Sequence, residues 1–155
     1  VPCEGEPKSV ARSSIPCRRK KPDSELAVRV LLDTHAFLWW LDGDRRLSIK
    51  SRRVIADETN AILVSAASAW EITTKARLGK LPGARAVAVD VVGCIANQGF
   101  LALEITVLHA QRAGALEGEH RDPFDRMLIA QAQLEDLSVV SDDRVFDDYR
   151  VRRIW

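Results

Sequence analysis

Four acidic residues stand where this chain is best placed to do chemistry. Asp33 directly follows the apolar run V-R-V-L-L and precedes A-F-L-W-W-L, so it lies where a strand ends and its helix begins. Open α/β folds bind ligands at that edge. A plainer role is equally open there, since Asp33 or Thr34 would serve as an ordinary helix N-cap. Glu71 lies in S-A-W-E, and with Ser68 as N-cap it takes the third helical position, the spacing of a capping box. Lys75, four residues on, is placed to pair with it along the helix surface. Location argues for more than a cap, because this helix follows the strand A-I-L-V and starts at the same edge as Asp33. In R-D-P-F-D-R, Asp122 reads as N-cap, Pro123 as the first helical residue and Asp125 as an acid of the first turn. A capping box would explain Asp125 too, yet Leu128, Ile129 and Ala132 follow on its face, so it heads an inward apolar stripe. Asp143 follows the strand S-V-V-S and opens a short helix, with Asp142 as its rival. Adjacent side chains point in different directions, and the sequence leaves open which of the two reaches the centre.

Each acid alone is ordinary. Together they fall at helix starts on the edge where parallel strands end, a recurrence that four independent caps do not explain. Helix N-termini add partial positive charge there, but about half a charge apiece does not neutralise a group of close carboxylates. Either some of them hold a proton or a cation is bound. An all-oxygen donor set with no cysteine and no histidine pair suits a hard ion, Mg2+ with Mn2+ as substitute, in preference to zinc. Such an ion keeps waters and accepts phosphate oxygens, so the expected chemistry is phosphodiester hydrolysis that leaves a 5′ phosphate. All four acids are expected to face the metal. Asp33 and Asp125 are expected as direct ligands, Asp143 on a second ion or bridging water, and Glu71 as the group that orients or deprotonates the attacking water.

Elements of two kinds must position these acids. From Val28 onward, short apolar runs alternate with segments of helical period, the sign of an α/β domain with a parallel sheet covered by helices. The runs are Val28–Leu32, Ala61–Val64, Leu101–Leu103, Ser138–Val140 and Val151–Ile154, which makes about five strands. Between them the periodicity predicts helices over 35–41, 48–57, 67–78, 85–98, 107–114, 123–135 and 144–149.

Four blocks in this order match a known family: L-L-D-T-H-A-F-L-W-W-L, then S-A-A-S-A-W-E-I-T-T-K-A-R-L-G-K-L, then H-R-D-P-F-D-R-M-L-I-A-Q-A, then V-V-S-D-D-R-V-F, ending in V-R-R-I-W. From about Val28 to Trp155 the chain resembles the PIN domain of VapC-type toxins. The resemblance implies a PIN-like three-layer α/β/α fold and a magnesium-dependent endoribonuclease. Such a toxin is one half of a toxin–antitoxin pair, cleaving cellular RNA and stopping translation and growth. It also implies a homodimer and a VapB-like antitoxin that masks the site with a short segment, often carrying an Arg. The family's four acids map onto Asp33, Glu71, Asp125 and Asp143. Two departures are the basic tail and S-D-D in the last motif, where Thr, a variable residue and Asp are more usual. Ser141 then stands in for the Thr as a hydroxyl near the site.

Other residues carry weaker expectations. Arg121 and Arg126 flank the acidic motif and are candidates for gripping RNA phosphates, with a salt bridge to an acid as the plainer role of Arg126. Thr34 and Ser141 are the hydroxyl candidates for substrate contact. His35 and His120 stand beside motif acids, but isolated histidines more often satisfy local hydrogen bonds. Phe37, Trp39, Trp40 and Trp70 are expected to pack in the core or a dimer contact more than to stack on bases. A dehalogenase-like phosphatase would want D-x-D where this chain has D-T-H. A receiver domain would want a Lys after a late strand, where this chain has Ser141, Asp142 and Asp143. A catalytically silent RNA-binding or scaffold protein on the same fold is the alternative from a different class, and the presence of all four acids argues against it.

Charge and composition set the outer limits. Lys and Arg number 23 against 22 Asp and Glu, a net charge of +1, which excludes a polybasic binder held by bulk charge. Residues 1–27 hold four of the six prolines, no aromatic residue and the basic run Arg18 to Lys21, the composition of a disordered tail. Because residue 1 is Val and the regular pattern starts near Val28, the expectation is a non-standard start or an overlong reading frame. Residues 28–155 form the expected nuclease domain. Cys3, Cys17 and Cys94 are odd in number with no C-x-x-C pair, so neither a disulfide framework nor a zinc site is expected, and a reducing cytoplasm fits. No apolar run reaches the roughly 20 residues of a membrane span.

Overall fold

The structure, a computed structural model, describes residues 27–155. The expected tail therefore lies, but for Ala27, outside the described residues. Five strands, β1 (Arg29–Leu32), β2 (Ala61–Ser65), β3 (Leu101–Leu103), β4 (Ser138–Val140) and β5 (Arg153–Ile154), form one sheet in the order β3-β2-β1-β4-β5. Every pairing is parallel, and Leu32 lies opposite Val64 on one side and Val140 on the other. Eight α-helices flank the sheet among the described residues: α1 (Thr34–Asp42), α2 (Ile49–Ala56), α3 (Ala66–Arg77), α4 (Arg85–Val89), α5 (Val91–Asn97), α6 (Val107–Ala115), α7 (Pro123–Glu135) and α8 (Val145–Asp148).

The strands are near-continuous aliphatic runs because helices cover both faces of the sheet. Side chains alternate across it. Val30, Leu32, Ile62 and Val64 pack on one face with Phe37, Ile55 and Ile72. Leu31, Leu63 and Val139 pack on the other with Leu128, Ile129 and Phe146. Three layers result, with helix α3 supplying Ala67 to one core and Ile72 to the other at the carboxyl edge of the sheet. The chain winds outward from β1 through β2 to β3, then returns past β1 to β4 and β5. Strand order thus reverses between β1 and β4, and that switch point is where such sheets open a crevice at their carboxyl ends.

Two elements differ from the periodicity. The helix expected over 85–98 breaks at Asp90, whose non-helical backbone (φ −150°, ψ 72°) interrupts it and whose Oδ1 accepts the Gly93 N–H at 2.8 Å. An aspartate that caps a new helix competes with continuing the old one. The last strand shortens to Arg153–Ile154, because the Val151 N–H donates to the Phe146 carbonyl at 2.9 Å and so closes the turn after α8.

One buried polar link ties the layers near the site. Gln131, fully buried on α7, accepts a hydrogen bond from Ser65 Oγ at 2.5 Å and donates from Nε2 to the Glu104 carbonyl at 3.1 Å. Buried donors and acceptors left without partners lose more than a typical hydrogen bond contributes. Gln131→Leu is therefore expected to lower stability by about 1–3 kcal/mol in urea denaturation, and an unchanged midpoint would show that this link carries no stability.

Candidate active site

Asp33 sits at the end of β1 beside the switch point, with its N–H donating to the Val140 carbonyl of the neighbouring strand at 3.1 Å. Although it occupies the N-cap position of α1, its side chain makes no cap hydrogen bond. Its Oδ2 accepts instead from Ser141 Oγ, at the end of β4, at 2.6 Å. The Asp33 residue is only 5% exposed. Burial, eased by the Ser141 hydroxyl and by His35 and worsened by the charges of Asp125 and Glu71, pushes its carboxyl up to about 6. An ordinary cap does the opposite and lowers a carboxyl.

Glu71 comes from α3, which follows β2 on the other side of β1. The N-cap of α3 is Ser65, whose Oγ accepts the Ala67 N–H at 3.0 Å, and not Ser68 as the sequence pattern suggests. Glu71 therefore lies in the second turn, outside any capping box. Both of its oxygens have partners: Oε2 accepts from Thr34 Oγ1 at 2.6 Å and Oε1 from Lys75 Nζ. Thr34 Oγ1 also lies 2.9 Å from Ser68 Oγ. A hydroxyl has one proton, so with Thr34 donating to Glu71, Ser68 donates to Thr34. Glu71, Thr34 and Ser68 are all buried. At the Lys75 ammonium, partial burial works downward, the hydrogen bond and charge of Glu71 work upward with help from Asp122 and Asp125, and the net shift is upward.

Asp125 arrives from the first turn of α7. Asp122 is the N-cap, accepting from the Phe124 and Asp125 N–H groups at 2.8 and 3.2 Å, with Pro123 in the first turn. That assignment agrees with the sequence pattern. The Asp125 carboxylate takes no part in the cap. Its Oδ2 lies 2.8 Å from His120 Nε2, and since a carboxylate only accepts, that nitrogen is the donor. Burial raises the Asp125 carboxyl, against the His120 hydrogen bond and with help from Asp122 and Glu71. Helices α3 and α7 meet beside this point, where the rings of Trp70 and Phe124 pack edge to face at 5.0 Å.

The fourth acid stands further out. Asp143 is exposed, its Oδ1 accepts the Val145 N–H at 2.9 Å, and its own N–H donates to Ser141 Oγ at 3.0 Å. Ser141 thus bridges Asp143 to Asp33. The charge of Asp142 bears on Arg46, whose principal partner is Asp44. Among the described residues no three His, Cys, Asp or Glu side chains are gathered closely enough to hold a metal ion as they stand. Asp33, Glu71, Asp125 and Asp143 each have an oxygen paired with a protein donor. The donor chemistry still fits a hard cation, because Asp33 and Asp125 are carboxylates whose charge the surroundings leave under-compensated.

The expected substrate contacts divide. Arg121 is exposed beside His120. Arg126 pairs with backbone carbonyls. Its Nε donates to the Ala113 carbonyl at 3.1 Å, Nη1 to the His120 carbonyl at 2.9 Å and Nη2 to the Leu116 carbonyl, so it clamps the 113–120 segment onto α7. Thr34 and Ser141 are buried and hold the acids. Phe37 is buried as expected, and Trp39 and Trp40 pack at the edge of its core, whereas Trp70 remains 60% exposed. His120 is the contact that pattern reading underweighted. Its signal was present, because an Asp-Pro helix start turns the chain sharply enough for residue 120 to meet Asp125.

The comparisons with known proteins bear on this geometry. A PIN domain family model matches residues 30–151. The chain belongs to the PIN-domain family. A 33-residue segment of this PIN domain is 58% identical to Ribonuclease VapC16 of Mycobacterium tuberculosis, a match spanning 21% of this chain and 23% of that relative. Solved structures share the fold at low identity. VapBC2 from Rickettsia felis, bound to a promoter DNA fragment, superposes with a TM-score of 0.59 at 12% identity, covering 83% of this chain and 100% of that one. DNA-bound VapBC from Salmonella typhimurium gives 0.57 at 18% identity over 81% and 96%. Mycobacterium tuberculosis VapC20, a sarcin–ricin loop cleaving toxin, gives 0.54 at 15% identity over 77% and 93%.

The raised Asp33 carboxyl has a consequence for stability. An acid whose folded pKa exceeds its unfolded value binds protons more tightly when folded, so its penalty is absent below about pH 4 and grows as pH rises through about 6. In EDTA, Asp33→Asn is expected to be more stable than wild type above pH 6, by at most on the order of 2–3 kcal/mol. The difference should fade toward pH 4. Urea denaturation of both proteins across that range checks it, and a mutant that is less stable at every pH would contradict it.

Proposed function

We propose that this PIN domain is a magnesium-dependent endoribonuclease, the toxin of a VapBC-type pair, with Asp33, Glu71, Asp125 and Asp143 as its working acids. One observation carries the reading: Asp33, Glu71 and Asp125 come from three separate stretches of chain to one sheet edge, where the charges of the other two help raise the Asp33 carboxyl. Burying like charges together without a protonated partner or a counter-ion is unfavourable, so their assembly implies a cation. The segment shared with a ribonuclease and the fold shared with VapBC toxins support RNA as the substrate.

In this reading Asp33 and Asp125 would hold the ion, with Asp143 as a further carboxylate at the lip of the site. Bound Mg2+, with Mn2+ able to replace it, would lower the pKa of a coordinated water and stabilise charge on the phosphoryl oxygens. The protein supplies position. Ser141 fixes Asp33, His120 fixes Asp125, and the Ser68–Thr34 relay and Lys75 fix Glu71, which orients the attacking water and takes up its proton. The water oxygen bonds to phosphorus as its proton passes to Glu71, the bond to the 3′ oxygen breaks, and that oxygen takes a proton from solvent to leave as a hydroxyl, with the 5′ phosphate on the other fragment. Exposed Arg121 meets backbone phosphate, and Arg126 holds the loop that carries Arg121 and His120. Cleavage of cellular RNA would halt translation and growth.

A VapB-like antitoxin is the proposed partner, and a homodimer the proposed assembly. Trp70, Val107 and Leu108, respectively 60%, 86% and 59% exposed, offer apolar surface for such contacts. The catalytically silent alternative would leave the acids without a reaction. Purified protein with RNA separates the two. Cleavage is expected with Mg2+ or Mn2+, none with EDTA, and a rate lower by roughly 100-fold or more for Asp33→Asn, the scale of losing one preorganised electrostatic contact. Equal cleavage by wild type and variant would point to a contaminant and remove the enzyme reading.

A further inference from the structure

We propose that Trp39, Trp155 and Arg46 form a stacking ledge for an unpaired RNA base beside the scissile phosphate. The inference rests on the ribonuclease reading above and adds a substrate subsite to it. Trp39 lies on α1 one turn beyond His35, with the two ring centres 5.8 Å apart, and the charge of His35 bears on Asp33. Trp155 follows β5, so it stands at the same carboxyl edge of the sheet as the acids, and its ring centre is 5.8 Å from that of Trp39. The Ile154 carbonyl beside it accepts the Ser141 N–H at 3.4 Å. Arg46 closes the group, with its Cζ over the Trp39 ring, 5.1 Å from the centre, and within the field of Asp142. The cluster thus borders the start of α1 and the 141–143 segment, the two stretches that place Asp33.

Core packing accounts for the neighbouring aromatics better than for this group. Phe37 is fully buried, and Trp40 packs its ring on Phe100 and donates its indole N–H to Gln98 Oε1 at 2.9 Å. Trp39 and Trp155 are only half-buried, and neither indole N–H has a hydrogen-bond partner among the described residues. The Arg46 side chain is 70% exposed although Trp39 covers one side of it. Its charge is already answered, because Nε and Nη2 donate to Asp44 Oδ2 at 3.1 and 2.7 Å, and Asp42 and Asp142 add to the negative field. Arg52, whose charge also bears on Asp44, is turned to the Leu47 and Asp44 carbonyls. Such a group has little to offer a phosphate. What it does offer is flat surface, and aromatic rings and guanidinium planes stack the bases of single-stranded RNA with little regard to sequence, since every base has a π-face.

Fluorescence titration tests this on the full chain carrying Asp33→Asn to slow cleavage, in Mg2+ buffer, with a short single-stranded oligoribonucleotide and the same oligomer stripped of its bases. The base-bearing RNA is expected to quench tryptophan emission. Adding Arg46→Ala or Trp39→Leu should weaken its binding about tenfold, the scale of losing one stacked base, whereas Trp39→Phe keeps a ring and most of the affinity. The abasic oligomer should bind the parent at least tenfold more weakly and lose nothing further from these substitutions. Circular dichroism establishes that each variant is folded, and if Trp39→Leu is not, Arg46→Ala decides, since its side chain is exposed. Equal RNA affinity of Arg46→Ala and its parent, or the same loss with abasic as with base-bearing RNA, overturns the ledge and leaves the nuclease reading intact. A cluster that receives a partner protein's side chain in place of a base would show that same indifference. RNA that binds none of the proteins overturns the RNA reading and this inference with it.

Discussion

Burial of carboxylates that the topology brings together, with their mutual repulsion added to it, is the constraint around which the edge of this molecule is built. A parallel sheet delivers strand ends and helix starts to one side, and strand order reverses beside β1, the kind of switch point at which such sheets bind ligands. Asp33, Glu71 and Asp125 are carried into it by a strand and two helices. Water is largely excluded at Asp33 and Glu71, so their charges are neither solvated nor screened as they would be on the surface. Nearly every polar contact nearby answers that problem. Ser141 donates to Asp33, Thr34 and Lys75 to Glu71, and His120 to Asp125. Those donors relieve the strain only in part, since Asp33 and Asp125 remain harder to ionise than ordinary aspartates.

The same residues join the site to the rest of the fold. Ser65 caps α3 and donates to Gln131 on α7, so the start of one acid-bearing helix is bonded to the middle of the other. Arg126 ties the loop that carries His120 to the helix that carries Asp125. A cleft assembled from distant segments needs such cross-links, because a small error in the placement of any one carboxylate disperses the group. Fold alone does not select a reaction. The chemistry resides in which side chains these cross-links hold at the edge.

Much of the architecture was legible in the sequence because it depends on local rules. Aliphatic runs of four or five residues read as buried strands, and Asp122 followed by Pro123 read as the start of α7, since both depend on short-range backbone preference. The acids recur at one kind of position in the sequence, and the structure brings Asp33, Glu71 and Asp125 within reach of one another's charge. Ser68 was misread because Ser65 and Ser68 both precede apolar turns, and only the register of β2 decides which one caps. The clamp made by Arg126 was not legible, because its partners are backbone carbonyls, which leave no mark in a sequence. The pairings of His120 with Asp125 and of Thr34 with Glu71 are contacts between side-chain tips, and spacing indicates reach but not choice of partner. Asp143 was placed at the right edge, yet its carboxylate turns to cap the segment that follows.

Divalent-ion binding to the folded chain, read as thermal stabilisation near pH 7, tests the shared cation most directly. Ligands that bind only the folded state raise the melting temperature in proportion to the logarithm of their concentration above Kd. Wild type should gain several degrees with saturating Mn2+ or Mg2+, and the protein carrying both Asp33→Asn and Asp125→Asn should gain none. A wild-type melting temperature indifferent to either ion, or an equal gain in the doubly substituted protein, would contradict the idea that these carboxylates meet around a metal.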